Sequence, residues 1–123
     1  MKTFGQAIVA ARKNACLTQK AVAARLRRSD GRAVMPPYLN DLEHDRRHPP
    51  ENMVIEQLAE VLNVSPDLLY FYARRLPANV EGDLDEGSIE AAYRAFRKEL
   101  RQASTTDRGR RQTRTSSHPG AWA

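Results

Sequence analysis

The chain has little of what marks most catalytic and membrane classes. Cys16 is its only cysteine, so no intrachain disulfide can form and no cysteine-based zinc site can be assembled. Between Ala15 and Leu17 it reads as a small buried hydrophobe. No apolar run approaches the roughly 18 residues of a membrane span, and the N-terminus lacks the apolar stretch of a secretory leader. A cytoplasmic location is therefore expected. His44 and His48 are four apart, but Pro49 limits a helix there and no clear third ligand accompanies them, so no metal is expected. Nothing suggests a Ser/His/Asp set or a nucleophilic cysteine, which disfavours an enzyme. No cofactor and no small-molecule ligand are implied.

What the chain does have is positive charge, unevenly placed. Twenty Lys and Arg against fifteen Asp and Glu leave a formal +5 in 123 residues. Residues 1–76 carry twelve basic and eight acidic side chains, residues 77–103 carry four and six, and residues 104–123 carry four and one. Such a balance suits a polyanionic partner. A chain of this length that is 41% hydrophobic supports one small core. The expected organisation is a compact domain over 1–76, an acidic linker and amphipathic helix over 77–103, and a disordered Arg-rich tail over 104–123.

Wherever the apolar pattern is periodic its spacing is helical, which predicts an all-α fold. Thr3 and Gln6 have capping-box spacing, and Phe4, Ile8 and Ala11 then recur on one face to about Ala15. Thr18 is a natural N-cap for a second helix ending near Arg27, with Val22, Ala23 and Leu26 as its apolar side. Residues 27–34 hold the turn signal Ser29-Asp30-Gly31 and no periodicity, and read as an exposed loop. A third helix starts around Pro36 and Pro37 and runs to about His44. A fourth spans about Glu51 to Asn63. Ser65-Pro66-Asp67 is a strong start for a fifth, reaching about Arg75. Ser88 is expected to cap a sixth, whose Ile89, Ala92, Tyr93, Phe96, Leu100 and Ala103 form one stripe. That stripe needs a docking site, on its own domain or on a second subunit.

The most informative segment is Tyr38 to Pro50. Leu39 and Leu42 can bury on one side of a helix while Asn40 and Asp41 face away, and the segment closes in a basic, proline-stopped turn suited to phosphates. This pattern reads as the recognition helix of a DNA-binding module.

The matching residues extend well beyond it: Leu17-Thr18-Gln19, Val22-Ala23 and Leu26, then Tyr38-Leu39, Leu42-Glu43, Arg46 and Pro50, and later Leu58-Ala59, Leu62-Asn63-Val64 and Leu68-Leu69. In order and spacing, residues 3 to 75 resemble the helix-turn-helix domain of phage Cro and repressor proteins, the XRE type. The resemblance implies a five-helix domain, a transcriptional regulator, and a third helix that enters the major groove and reads base edges. The base-reading positions it implies are Met35, Pro36, Pro37, Asn40 and Asp41. Asn40 suits adenine and Asp41 the cytosine amino group, whereas Met35 and the two prolines offer only apolar contact. The family habit is Gln or Ser at this helix start, so part of the reading is expected from elsewhere.

The resemblance also implies a phosphate contact from Gln19 at the start of the second helix, which there also steadies the recognition helix, and phosphate contacts from Tyr38, His44, Arg46 and Arg47 around the third. It implies a structural ion pair between Arg12 and Glu43, and it places Asp45 where the family usually has a left-handed Gly. The connection before the third helix exceeds the family norm by about six residues, an extension that costs at most about 1 kcal/mol. Arg28 and Arg32 in that connection are candidates for backbone contact. One such domain touches few base pairs, so a homodimer on a two-fold operator is expected, joined through Leu69, Tyr70, Phe71 and Tyr72, with or without the sixth helix. A repressor is the leading expectation. The alternative is a protein-interaction module, such as an antitoxin or adaptor, working through the aromatic fifth helix and the sixth-helix stripe.

Overall fold

The computed structural model describes residues 1–80 and 82–110, with side chains through Ser104. It is all-helical over these residues: α1 Phe4–Asn14, α2 Gln19–Ala24, α3 Pro36–Glu43, α4 Asn52–Leu62, α5 Pro66–Ala73, a 3-10 turn Ala78–Val80, and α6 Glu86–Arg110. No strand occurs among them, only an isolated antiparallel bridge between Arg27 and Ala33. No helix among them is long and apolar enough to cross a membrane. The chain divides into two compact units, Met1–Asn79 with α1 to α5, and the remainder from Val80 with α6.

At the starts of α1, α2, α5 and α6 side chains satisfy N–H groups that have no partner inside the helix. Thr3 and Gln6 form a reciprocal capping box on α1, Thr18 caps α2 through the Ala21 N–H, and Ser65 caps α5 through Asp67. At α3 no side chain caps the helix, and Pro36 and Pro37 remove two of the N–H groups that would need a partner. α6 departs from expectation. The carboxylate of Asp85 accepts from the Ser88 backbone N–H at 3.1 Å, so Asp85 is the capping residue and Ser88 is capped. The helix also runs seven residues beyond Ala103, to Arg110, because extending a formed helix fixes one residue per hydrogen bond gained and needs no new nucleus. The expected disordered tail over 104–123 is thus helical as far as Arg110, and its remainder lies outside the described residues.

Four helix ends share one geometry. Beyond α1, α3, α4 and α5 the chain turns through a left-handed residue, Cys16, Asp45, Asn63 and Arg74, each with φ of 57° or 58°. The next residue donates back to a carbonyl five positions earlier: Leu17 to Arg12, Arg46 to Asp41, Val64 to Ala59 and Arg75 to Tyr70. Glycine would adopt this conformation without strain, and none of the four is glycine. Cys16 is consequently exposed and not the buried hydrophobe expected, because the turn carries it off the apolar face of α1.

The core of Met1–Asn79 joins Phe4 and Ile8 of α1, Val22 and Ala23 of α2, Leu26, Val34, Leu39 and Leu42 of α3, four apolar side chains and Ala59 of α4, and Leu69 and Tyr70 of α5. α1 packs on α3 and α5, α2 on α3 and α4, and α4 on α5. Leu69 is 1% and Tyr70 2% exposed. The expectation that α5 offers both to a second copy is therefore corrected: they are internal, and the Tyr70 hydroxyl donates to Glu56 at 2.7 Å. Of that set only Phe71 is exposed, while Tyr72 packs partly against the core. A five-helix core needs a large wedge where α5 meets α4, and burying an aromatic ring there removes more apolar area from water than any smaller side chain would.

Candidate nucleic-acid interface

The start of α1 and the end of α3 meet closely, and this contact sets the position of α3. A Cβ on Gly5 would lie 2.6 Å from the carbonyl oxygens of Leu42 and Glu43, so only glycine fits. Asp45, in its left-handed turn, accepts from the Gly5 N–H at 2.9 Å and from the Thr3 hydroxyl at 2.6 Å. Its carboxylate thus serves the positive end of α1 and offsets the strain at its own backbone.

Beneath α3 lies a chain of charge-assisted hydrogen bonds. Glu43 is 5% exposed and receives a bidentate clamp from Arg12, at 2.6 and 3.0 Å. Arg12 also donates to the Leu17 carbonyl at 3.0 Å. Gln19 donates to Glu43 at 2.8 Å and to Asn40 Oδ1 at 3.0 Å. A carboxylate only accepts, so Glu43 fixes which way the Gln19 amide points, and Gln19 in turn fixes Asn40 with its amide nitrogen away from the contact. Gln19 therefore holds Asn40 in place instead of presenting its own N–H groups outward. No buried side-chain N or O among the described residues lacks a partner.

The opposite side of α3 is the exposed one. Met35 is 61% exposed, Pro37 is exposed, and Pro36, Asn40 and Asp41 are half-buried. The helix start offers no N–H to an anion: the prolines have none, and the Tyr38 and Leu39 N–H groups donate to the Met35 carbonyl. Any phosphate here must be held by side chains.

Those side chains come from both flanks. Before α3, the expected exposed loop is a short hairpin closed by Arg28 N–H to the Arg32 carbonyl at 2.9 Å. It is held down by α4 and the residue before it: Gln57 exchanges two hydrogen bonds with the Arg27 backbone, at 2.8 and 2.9 Å, and Glu51 accepts from the Ser29 N–H and hydroxyl at 2.7 and 3.0 Å. Gln57 and Glu51 carry no sequence signal for this, because each reaches across more than twenty residues. The anchored hairpin brings the Arg28 guanidinium over the Tyr38 ring, 4.4 Å from its centroid. After α3, Arg47 approaches the same ring at 5.0 Å.

The remaining candidates lie around this cluster. Arg46 and Arg47 make loose ion pairs with Asp41 at 3.5 and 3.6 Å, all at the surface, where such pairs contribute little and exchange readily. Asp41 is thereby turned toward its neighbouring arginines. Arg32 pairs with Asp30 at 3.4 Å on the hairpin, away from the Tyr38 cluster. The His44 ring contacts the Asn40 carbonyl at 2.8 Å; a carbonyl only accepts, so Nδ1 carries the hydrogen, and a neutral ring then has only an acceptor nitrogen left. A phosphate contact from His44 accordingly requires its protonated form. Arg75, which sequence reasoning passed over, donates to the carbonyls of Pro49 and Pro50 and to Asn52 Oδ1, and so braces the corner that bears Arg46 and Arg47.

Among the described residues no three His, Cys, Asp or Glu side chains come together as a metal site. No protein-family model, no curated protein and no solved structure matches the chain.

Proposed function

We propose that Met1–Asn79 is a helix-turn-helix domain of the Cro/repressor type that binds double-stranded DNA, with α2 and α3 as the paired helices and α3 in the major groove. The observation that carries this reading is the convergence of Arg28 and Arg47, from opposite flanks of α3, on the Tyr38 ring. Two guanidiniums held beside an exposed helix face suit the two phosphate strands that border a groove, and their alignment is fixed before binding. Asn40, steadied by Gln19, is the residue best placed to pair with adenine, and Met35, Pro36 and Pro37 offer an apolar edge for a thymine methyl. Asp41 acts chiefly by organising Arg46 and Arg47. The chain works as a transcriptional regulator, a repressor by occupancy, and reaches useful specificity as two copies on a two-fold site.

Selection of bound duplexes from a random pool, followed by affinity measurement across a salt series, tests this. A preferred sequence should emerge, and Arg28→Ala with Arg47→Ala should flatten the salt slope by about two. Asn40→Ala should relax preference at one base pair and leave the slope alone. No enrichment of any sequence, together with a slope near zero, would remove the proposal.

A further inference from the structure

α6 carries an apolar row along one side. Its apolar residues are Ile89, Tyr93, Phe96, Leu100 and Ala103, spaced four, three, four and three apart. That is the seven-residue repeat of a helix that winds around another helix, and it keeps one seam facing a partner over the whole stretch. Much of the seam is open to water: Ile89 is 37%, Tyr93 48% and Leu100 51% exposed. A monomeric protein seldom leaves so regular an apolar row exposed.

We infer that α6 pairs with α6 of a second copy, side by side and in opposite directions. The argument is the symmetry of the sequence itself. In a two-fold antiparallel pair, residue i meets residue j and j meets i. If Tyr93 meets Phe96 of the second copy, the same register sets Ile89 against its Leu100, and Glu86 against its Ala103. Each layer then joins one larger and one smaller or differently shaped side chain, and the seam is filled from Ile89 to Leu100.

Charge completes the match. The residues bordering this seam are Glu90 and Arg97 on one side, and Ala92 and Glu99 on the other. In the antiparallel register Glu90 faces Arg97 of the second copy, and the symmetry repeats the pair, so the border carries two opposite-charge contacts. The parallel alternative sets Ala92 against Arg97 and Glu99 against Ser104, with no opposite charges, and stacks Glu86 on Glu86. Opposite charges at the border select orientation as well as partner. The inference concerns α6 alone, and it stands whether or not Met1–Asn79 binds DNA.

The test is sedimentation equilibrium of the full chain at micromolar concentrations, without DNA. A dimer is expected, and Leu100→Glu should yield a monomer whose Met1–Asn79 unit still unfolds cooperatively. Glu90→Arg and Arg97→Glu should each weaken the dimer by about tenfold, since each sets like charges in opposition twice. Mixing these two variants should produce a heterodimer tighter than either homodimer, because both borders are then complementary again. A monomer at every concentration would mean that α6 is covered by its own chain or by a different protein, and would overturn the inference. So would a dimer indifferent to Leu100→Glu. A dimer lost in Leu100→Glu but showing no preference on mixing would overturn the antiparallel register.

Discussion

The two units of this chain stabilise their helices by different means. In Met1–Asn79, helices of six and eight residues persist although isolated helices of that length are unstable in water. Their support is tertiary: a shared apolar core, the Arg12–Glu43–Gln19–Asn40 chain, and the Asp45 carboxylate on the start of α1. α6 has 25 residues and an apolar seam 37% to 51% exposed, and a helix of that length depends less on tertiary support than one of two turns. The difference shows where perturbation is felt. A lost contact is therefore expected to cost folding stability in the first unit and little of it in α6.

The largest expected effect tests the tertiary half of this comparison. Glu43→Ala should destabilise Met1–Asn79 by about 3 kcal/mol in chemical denaturation, because it leaves the partly buried Arg12 and the Gln19 amide without their acceptor. A loss below about 1 kcal/mol would mean that the apolar core alone ties α1 and α2 to α3. Gly5→Ala should follow at about 2 kcal/mol, since the added methyl group meets backbone carbonyls that cannot move without displacing α3.

Glu51→Ala should cost about 1 kcal/mol. Its sharper readout is hydrogen exchange, which should accelerate at Ser29 and its neighbours in the hairpin while the core amides stay protected. Uniform acceleration across the unit would show that the hairpin is part of the cooperative core. At the small end, Leu100→Glu should change the unfolding free energy of Met1–Asn79 by less than about 0.5 kcal/mol at concentrations where the chain is monomeric. A larger change would break the comparison by showing that α6 supports the first unit.

Local signals carried much of this fold in advance. Thr3, Thr18, Ser65 and Pro66 announce helix starts because a cap needs only residues two or three apart. The core faces of α1 and α3 followed from spacing alone. The readings that failed depended on neighbours distant in sequence or on backbone conformation. Leu69 and Tyr70 looked available because α5 is apolar nearly all round, and only the packing of α4 decides which part of that surface is covered. The 27–34 segment is exposed as read, but its anchoring was not legible because Glu51 and Gln57 lie at the start of and within another helix. That Gln19 steadies α3 follows the resemblance, but its partners Glu43 and Asn40 could not be named from the chain order.

By itself the sequence determined that the chain is helical, where most helices begin, and which faces are apolar, because caps and periodicity act within one or two turns. It also determined the seam of α6, whose repeat is a property of one helix. Only the tertiary structure decided that Arg28 and Arg47 meet at Tyr38, that Asn40 is held by Gln19, and that Leu69 and Tyr70 are internal. These arrangements depend on helices separated in sequence being packed at van der Waals contact, where an acceptor two or three ångströms away outweighs any local preference of the side chain.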